Sequence, residues 1–258
     1  MNKIGVSSLA FLRYSAEDTV RRVGELGFEI WEIIPEEKHL KKDYSKVKEL
    51  AESYDLNFVV HAPFSDLNIA SLNEGIREAS LSQIFKSIEL ADFLEAELIN
   101  IHPGRLSPLG TFFRERAWEV NLQSIGRILE FASQHGVKVS LENTPNFTGA
   151  FCCKLEEIQE VLQHFGGQLA FTLDVGHANT CGKIEKFIEA LKHSLCHVHL
   201  HDNSGSDDTH AEIGKGNIDF KKVLRRLRKI SYKSFFIIEA LGEEEAFRSK
   251  EKLEELIL

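Results

Sequence analysis

Short runs rich in β-branched and aromatic residues alternate with longer segments of helical period along the whole chain, and this alternation constrains the fold more than any other feature. The strand-like runs are Lys3 to Ser8, Phe28 to Ile34, Asn57 to Ala62, Leu98 to His102, Lys138 to Glu142, Ala170 to Asp174, Cys196 to His201 and Phe235 to Ala240, eight in all. Helical patterns lie between them at Ala16 to Leu26, Tyr44 to Tyr54, Asn73 to Leu94, Phe112 to His135, Lys154 to Phe165, Ile184 to Leu191 and Phe220 to Ile230, with a last one from Glu243 onward. Strand followed by helix is the pattern of parallel strands joined by crossovers. Eight such units in 258 residues match a closed (β/α)8 barrel, a TIM barrel of α/β class and a single domain spanning residues 1–258. An open doubly wound sheet would need fewer strands or a second domain, and no Pro, Gly or Ser-rich linker divides the chain. Gly27 and Gly136 each follow a helical pattern and precede a strand, where a helix-ending glycine belongs.

Composition narrows the function classes. With 43% hydrophobic residues the chain can bury a large core, and its longest apolar stretches, such as Phe235 to Ile238, are far too short to cross a bilayer. No export signal is visible, so the expected location is the cytoplasm. Four cysteines match no zinc-ribbon or disulfide-framework spacing and read as ordinary thiols. A net charge of −9 argues against nonspecific nucleic-acid coating, and the basic run Lys221 to Lys229, interleaved with apolar residues at helical spacing, reads as a solvated helix face.

Strand interiors in a barrel should be apolar, yet nearly every run here carries an ionisable residue at or near its end. These are Glu32, His61, His102, Glu142, Asp174 with His177 three residues on, His199 and His201, and Glu239. The C-terminal ends of barrel strands share one mouth, where active sites of this fold lie. Four carboxylates gathered there repel one another and lose hydration, a cost relieved by protonation or by a bound cation. Imidazole and carboxylate without cysteine suit Zn, Mn, Co or Fe. The polar stretch after strand seven offers Asp208 and His210, two apart and able to face one ion, and then Gly214-Lys215-Gly216, a weak phosphate-loop signal.

The segments Leu173-Asp174-Val175-Gly176-His177-Ala178, His199-Leu200-His201-Asp202-Asn203 with Asp208-Thr209-His210, and Leu141-Glu142-Asn143 resemble the xylose isomerase-like TIM-barrel superfamily. That superfamily contains sugar and sugar-phosphate isomerases and epimerases together with abasic-site nucleases of the endonuclease IV group, and the resemblance covers essentially the whole chain. For the isomerase branch it implies one divalent ion held by Glu142, Asp174, His199 and Glu239. Glu142 and Glu239 would be the catalytic pair, moving a proton beside a carbonyl while the cation stabilises the enediolate oxygens. His177 and Glu32 would face the substrate, with Arg105 and Lys215 as phosphate contacts.

For the nuclease branch the resemblance implies three zinc ions: His61, His102 and Glu142 for one, Glu142, Asp174, His199 and Glu239 for the second, and His177, Asp208 and His210 for the third. Such a centre would cleave a phosphodiester in DNA. The chain departs from the nuclease pattern where Phe64 stands for the usual Tyr, where Asp174-Val175-Gly176-His177 replaces Asp-Thr-Cys-His, and where His201 replaces an Asn. These departures favour isomerase or epimerase chemistry on a small sugar or sugar phosphate. A barrel that has lost catalysis is a third reading, against which the full set of ionisable groups weighs. The resemblance leaves a homodimer open, and no membrane partner is expected.

Overall fold

The computed structural model describes residues 2–182 and 184–257. Eight strands close into a barrel in sequence order: β1 (Ile4–Ser7), β2 (Ile30–Ile33), β3 (Asn57–His61), β4 (Ile99–Ile101), β5 (Val139–Glu142), β6 (Leu169–Asp174), β7 (Leu195–Leu200) and β8 (Phe236–Ile238). Every neighbouring pair is parallel, and β8 pairs with β1 to close the ring. The crossovers are α1 (Ala16–Glu25), α2 (Ser45–Ser53), α3 (Glu74–Phe93), α4 (Arg114–Gln134), α5 (Leu155–Phe165), α7 (Ile184–Leu191) and α8 (Phe220–Lys229), with α9 (Glu243–Ile257) packing after β8. The barrel reading of the sequence therefore holds.

One helix was not expected: α6 (Val175–Thr180), a single short turn set directly on the end of β6. It is too short to show an apolar period. It exists because Asp174 caps it, its Oδ1 accepting the His177 backbone N–H at 2.6 Å. The expected strand ends were also too long, since His102, His201 and Glu239 each lie one residue past their strand. Gly27 and Gly136 end α1 and α4 as anticipated, both with positive φ (69° and 68°).

The core has two parts. The larger one packs the outward faces of the strands, with Trp31, Ile33 and Phe171 fully buried, against the apolar stripes of the helices. The smaller one fills the barrel floor with Ile30, Val59, Leu98, Phe235 and Ile237. Side chains two apart in a strand share a face, so the positions above this floor are Glu32, His61, Asn100, Glu142, Asp174, His199 and Glu239. Gly5 is required at the floor, because a Cβ there would meet the Ile30 carbonyl oxygen at 2.7 Å. A register shift where β7 pairs with β6 skips Cys196, so that His197, His199 and His201 follow one another on the inner face. Cys153 and Cys181 bring their Sγ atoms to 2.6 Å across the loop after β5 and the end of α6.

Candidate metal centre

The nine residues named from the sequence as metal ligands come together at the C-terminal mouth, in three groups, two of which share Glu142. The central group is Glu142, Asp174, His199 and Glu239, all buried, with ligand atoms within 4.8 Å of one another. His199 Nδ1 stands 3.5 Å from Glu142 Oε2, 3.8 Å from Asp174 Oδ2 and 3.4 Å from Glu239 Oε2. Both His199 Nδ1 and Asp174 Oδ2 are buried without a hydrogen-bond partner. Two ligands about 2.0 Å from a tetrahedral ion lie roughly 3.3 Å apart, close to these separations. Orphaned buried lone pairs at that spacing fit a divalent cation, which would satisfy groups the protein itself leaves unpaired.

Beside it, His61 Nε2 and His102 Nε2 each lie 3.3 Å from Glu142 Oε2. His61 donates its Nδ1–H to the Ala62 carbonyl at 2.7 Å, which leaves the Nε2 lone pair turned toward Glu142. Asn100 donates its side-chain N–H to Glu142 Oε2. On the other side, Asp208 Oδ2 lies 3.1 Å from His177 Nε2 and 3.2 Å from His210 Nε2. His201 Nε2 joins this group, 3.5 Å from Asp208 Oδ1 and 3.1 Å from Asp174 Oδ1.

So dense a set of buried acids would favour protonation, but the imidazoles reverse that. Burial pushes Glu239 up, yet the charge and hydrogen bond of His199 together with the charge of His210 outweigh it and hold the carboxyl at about 2. Glu142 is likewise held well below the usual carboxylate range, burial being overcome by His199 and His102. The reciprocal effect overcomes burial at His210 through Asp208, Glu239 and Asp174, raising it to about 9. A cation entering these sites would displace protons from the imidazoles while leaving the carboxylates ionised.

Four residues expected at the substrate differ in placement. Arg105 is exposed and lines a cavity of about 240 Å³ that opens onto the three groups, together with Leu9, Phe64, Asn68 and Phe147. His177 lines it too, although its Nδ1 meets the Asn143 carbonyl at 2.8 Å and its Nε2 meets Asp208. Glu32 does not reach the cavity: it is fully buried one layer below, with Oε2 3.0 Å from His199 Nε2 and Oε1 3.1 Å from His197 Nε2. Lys215 stays outside the cavity, in an exposed turn. The backbone N–H groups of Gly214 and Ile218 are taken by the Asp202 carboxylate at 2.9 and 3.2 Å, so this loop is a clasped turn and no phosphate cradle.

His197 and the ligand-side position of His201 escaped the sequence reading. Their signal was the period of two in His197-x-His199-x-His201, which the bulge in β7 aligns on the inner face.

A closed eight-stranded barrel with this carboxylate and imidazole cluster at its mouth defines a TIM barrel with a candidate metal centre. The chain belongs to the xylose isomerase-like TIM barrel family, whose profile matches residues 20–257. It is 39% identical over 261 residues to an uncharacterized protein of Methanocaldococcus jannaschii, covering 99% of this chain and 89% of the other. A solved structure of a D-tagatose 3-epimerase-like protein is 38% identical, with a TM-score of 0.93 over 99% of this chain and 97% of that one. A protein of Aquifex aeolicus named probable endonuclease 4 is 29% identical over 187 residues, 65% of each chain.

Proposed function

We propose that the protein is a divalent-metal-dependent sugar or sugar-phosphate isomerase or epimerase. The observation that carries this reading is the pair Glu142 and Glu239, each with a carboxylate oxygen about the same distance, 3.5 and 3.4 Å, from His199 Nδ1 at the base of one small cavity. Glu142, Asp174, His199 and Glu239 would hold the ion. Bound there, a divalent cation supplies Lewis-acid polarisation of a carbonyl and balances negative charge that develops on its oxygen. One of the two glutamates accepts the proton from the carbon beside that carbonyl, and a protonated carboxyl returns one to the neighbouring position or to the opposite face. Phe64 covers His102 face to face, with ring centroids 5.3 Å apart, and with Leu9 and Phe147 it keeps water from the cavity wall. Arg105 is the lining residue with a fixed positive charge and is the proposed contact for a substrate phosphate. The relation to a D-tagatose 3-epimerase-like protein supports the substrate class.

A second reading has its own observation. The pair His61 and His102, both 3.3 Å from Glu142 Oε2, adds a further ligand group that a one-ion isomerase does not need. It supports metal-assisted phosphodiester cleavage in abasic DNA, the reaction class suggested by the Aquifex relative.

The two readings separate in one experiment on metal-reconstituted protein. The expected result is solvent-deuterium incorporation into one of a panel of ketoses and ketose phosphates, with no nicking of an abasic-site duplex. Efficient nicking by protein with no deuterium exchange would reverse the assignment.

A further inference from the structure

Cys153 and Cys181 are 28 residues apart in the chain, yet their Sγ atoms meet at 2.6 Å. Neither is among the candidate metal ligands. Cys153 lies at the end of the loop after β5, whose Thr144, Pro145 and Phe147 line the cavity, and Cys181 caps α6, which carries His177. We propose that these two cysteines are a reversible disulfide site which, on oxidation by a low-molecular-weight disulfide, ties one wall of the cavity to α6. This inference goes beyond the isomerase reading and stands without it.

Backbone hydrogen bonds on both sides hold the two sulfurs together. The Glu157 carboxylate accepts the Cys152 backbone N–H at 2.9 Å, and the Thr144 hydroxyl donates to the Phe151 carbonyl at 2.6 Å, which folds the loop back on itself just before Cys153. The Asn146 backbone N–H donates to the Thr180 hydroxyl at 2.9 Å, and that hydroxyl donates to the His177 carbonyl at 2.7 Å, so the loop docks on α6 one residue before Cys181. Cys152 turns the chain with φ 59°, leaving its own thiol buried and that of Cys153 half-buried. Burial and the charge of Glu157 raise the Cys152 thiol well above its ordinary range, which makes it inert, whereas Cys153 and Cys181 are both within reach of a small oxidant. In the reaction, one protein thiolate attacks a sulfur of the small disulfide and expels one small thiol. The thiolate of the second cysteine then attacks the protein sulfur of that mixed disulfide and expels the other. The two protein thiols give up two electrons and two protons, and the small disulfide takes up all of them. Holding the two sulfurs in contact favours this intramolecular closing step over a second mixed disulfide. The product bypasses β6 and restrains the cavity-wall loop against the helix that carries His177.

The competing role is a packing contact between two thiols that never bond. Peptide mapping separates the two. The full chain is reduced, freed of reductant, incubated with oxidised glutathione, blocked with iodoacetamide in denaturant and digested without reduction, and its peptides are identified by mass spectrometry. The expected result is one intramolecular cross-link joining Cys153 to Cys181, lighter by two hydrogens than the separate reduced peptides, with Cys152 and Cys196 alkylated. Dithiothreitol removes it. The oxidised protein should also melt roughly 5–10 °C above the reduced one, because the link takes freedom from the unfolded chain. Cys153→Ser and Cys181→Ser each lose the cross-link and the shift, whereas Cys152→Ser keeps both. Comparison of oxidised with reduced wild type needs no substitution, so the test stands if a variant fails to fold. Alkylation of both Cys153 and Cys181 in the oxidised sample, or glutathione carried separately on each, overturns the proposal. So does a cross-link that leaves the melting temperature where it was, since the loop would then not be restrained.

Discussion

Glu32 and His199 face each other inside the barrel, Oε2 to Nε2 at 3.0 Å, while the opposite nitrogen of the same imidazole points at three carboxylates. A buried carboxylate that accepts the outer N–H of a metal-binding imidazole fixes both its tautomer and its angle. In the proposed metal centre Glu32 would be a positioning residue beneath the ligands. Glu32→Gln is expected to lower metal affinity by about 10- to 100-fold with little change in the position of the strands. Equilibrium dialysis against zinc, with circular dichroism as the folding control, measures it; wild-type affinity would remove Glu32 from this role.

Glu142→Gln and Glu239→Gln should each abolish proton exchange at the substrate carbon, since each removes one carboxylate of the proposed proton-transfer pair. Solvent-deuterium incorporation, followed by mass spectrometry of the sugar, is the measurement, and normal exchange in either variant would reject its assignment. In the phosphodiesterase reading, the decisive variants are instead His102→Ala and His210→Ala, which should stop nicking while the barrel stays folded.

Asp202 clasps the loop that carries Asp208 and His210. Its carboxylate accepts from the backbone N–H of Asn203 at 2.9 Å, Gly214 at 2.9 Å and Ile218 at 3.2 Å, and the residue is fully buried. Asp202→Ala leaves these donors unpaired and should cost about 1–3 kcal/mol, more if the loop opens. Urea denaturation gives that figure. Because the clasp positions the ligand loop, the same variant should also retain less metal.

His39 is expected to make the fold sensitive to mild acid. Burial against Trp31 pushes its pKa down to about 4, with the Phe11 carbonyl opposing only in part. The unfolded chain takes up a proton near the ordinary value of about 6.5, whereas the folded chain does not until about 4. Stability is therefore unaffected above about 6.5 and falls as the pH drops through that window, by about 3 kcal/mol in total. In His39→Gln this share of the acid sensitivity should vanish. Paired denaturation curves at pH 7 and pH 5 measure it, and an identical pH slope in both proteins would count against it.

Arg105→Ala should raise the KM for a phosphorylated substrate without affecting its unphosphorylated counterpart, because only the former has a charge for the guanidinium to meet. Lys215→Ala should change neither, as its loop lies outside the cavity and is closed by Asp202. Steady-state kinetics on matched sugars distinguishes the two.

Much of the centre could be read from the chain alone because barrel geometry is regular. Alternation of strand and helix fixes eight units, the period of two fixes which residues face inward, and right-handed crossovers bring every strand end to one mouth. Glu142, Asp174, His199 and Glu239 could thus be named as neighbours although each comes from a different strand. Strand-end position could not give depth along the barrel axis. Glu32 falls below the cavity because its partner on β3 is Val59, two residues before His61, a matter of register that sequence spacing does not carry. Nor could it show volume exclusion between distant residues: that Gly176 makes room for His201, or that Asp202 consumes the amides of the Gly214 loop, depends on atoms meeting across loops in three dimensions. Periodicity is a local property of the chain and determined the barrel and which polar residues gather at its mouth; close contact is not, and the tertiary structure alone decided which of those polar residues touch one another and which reach the substrate space.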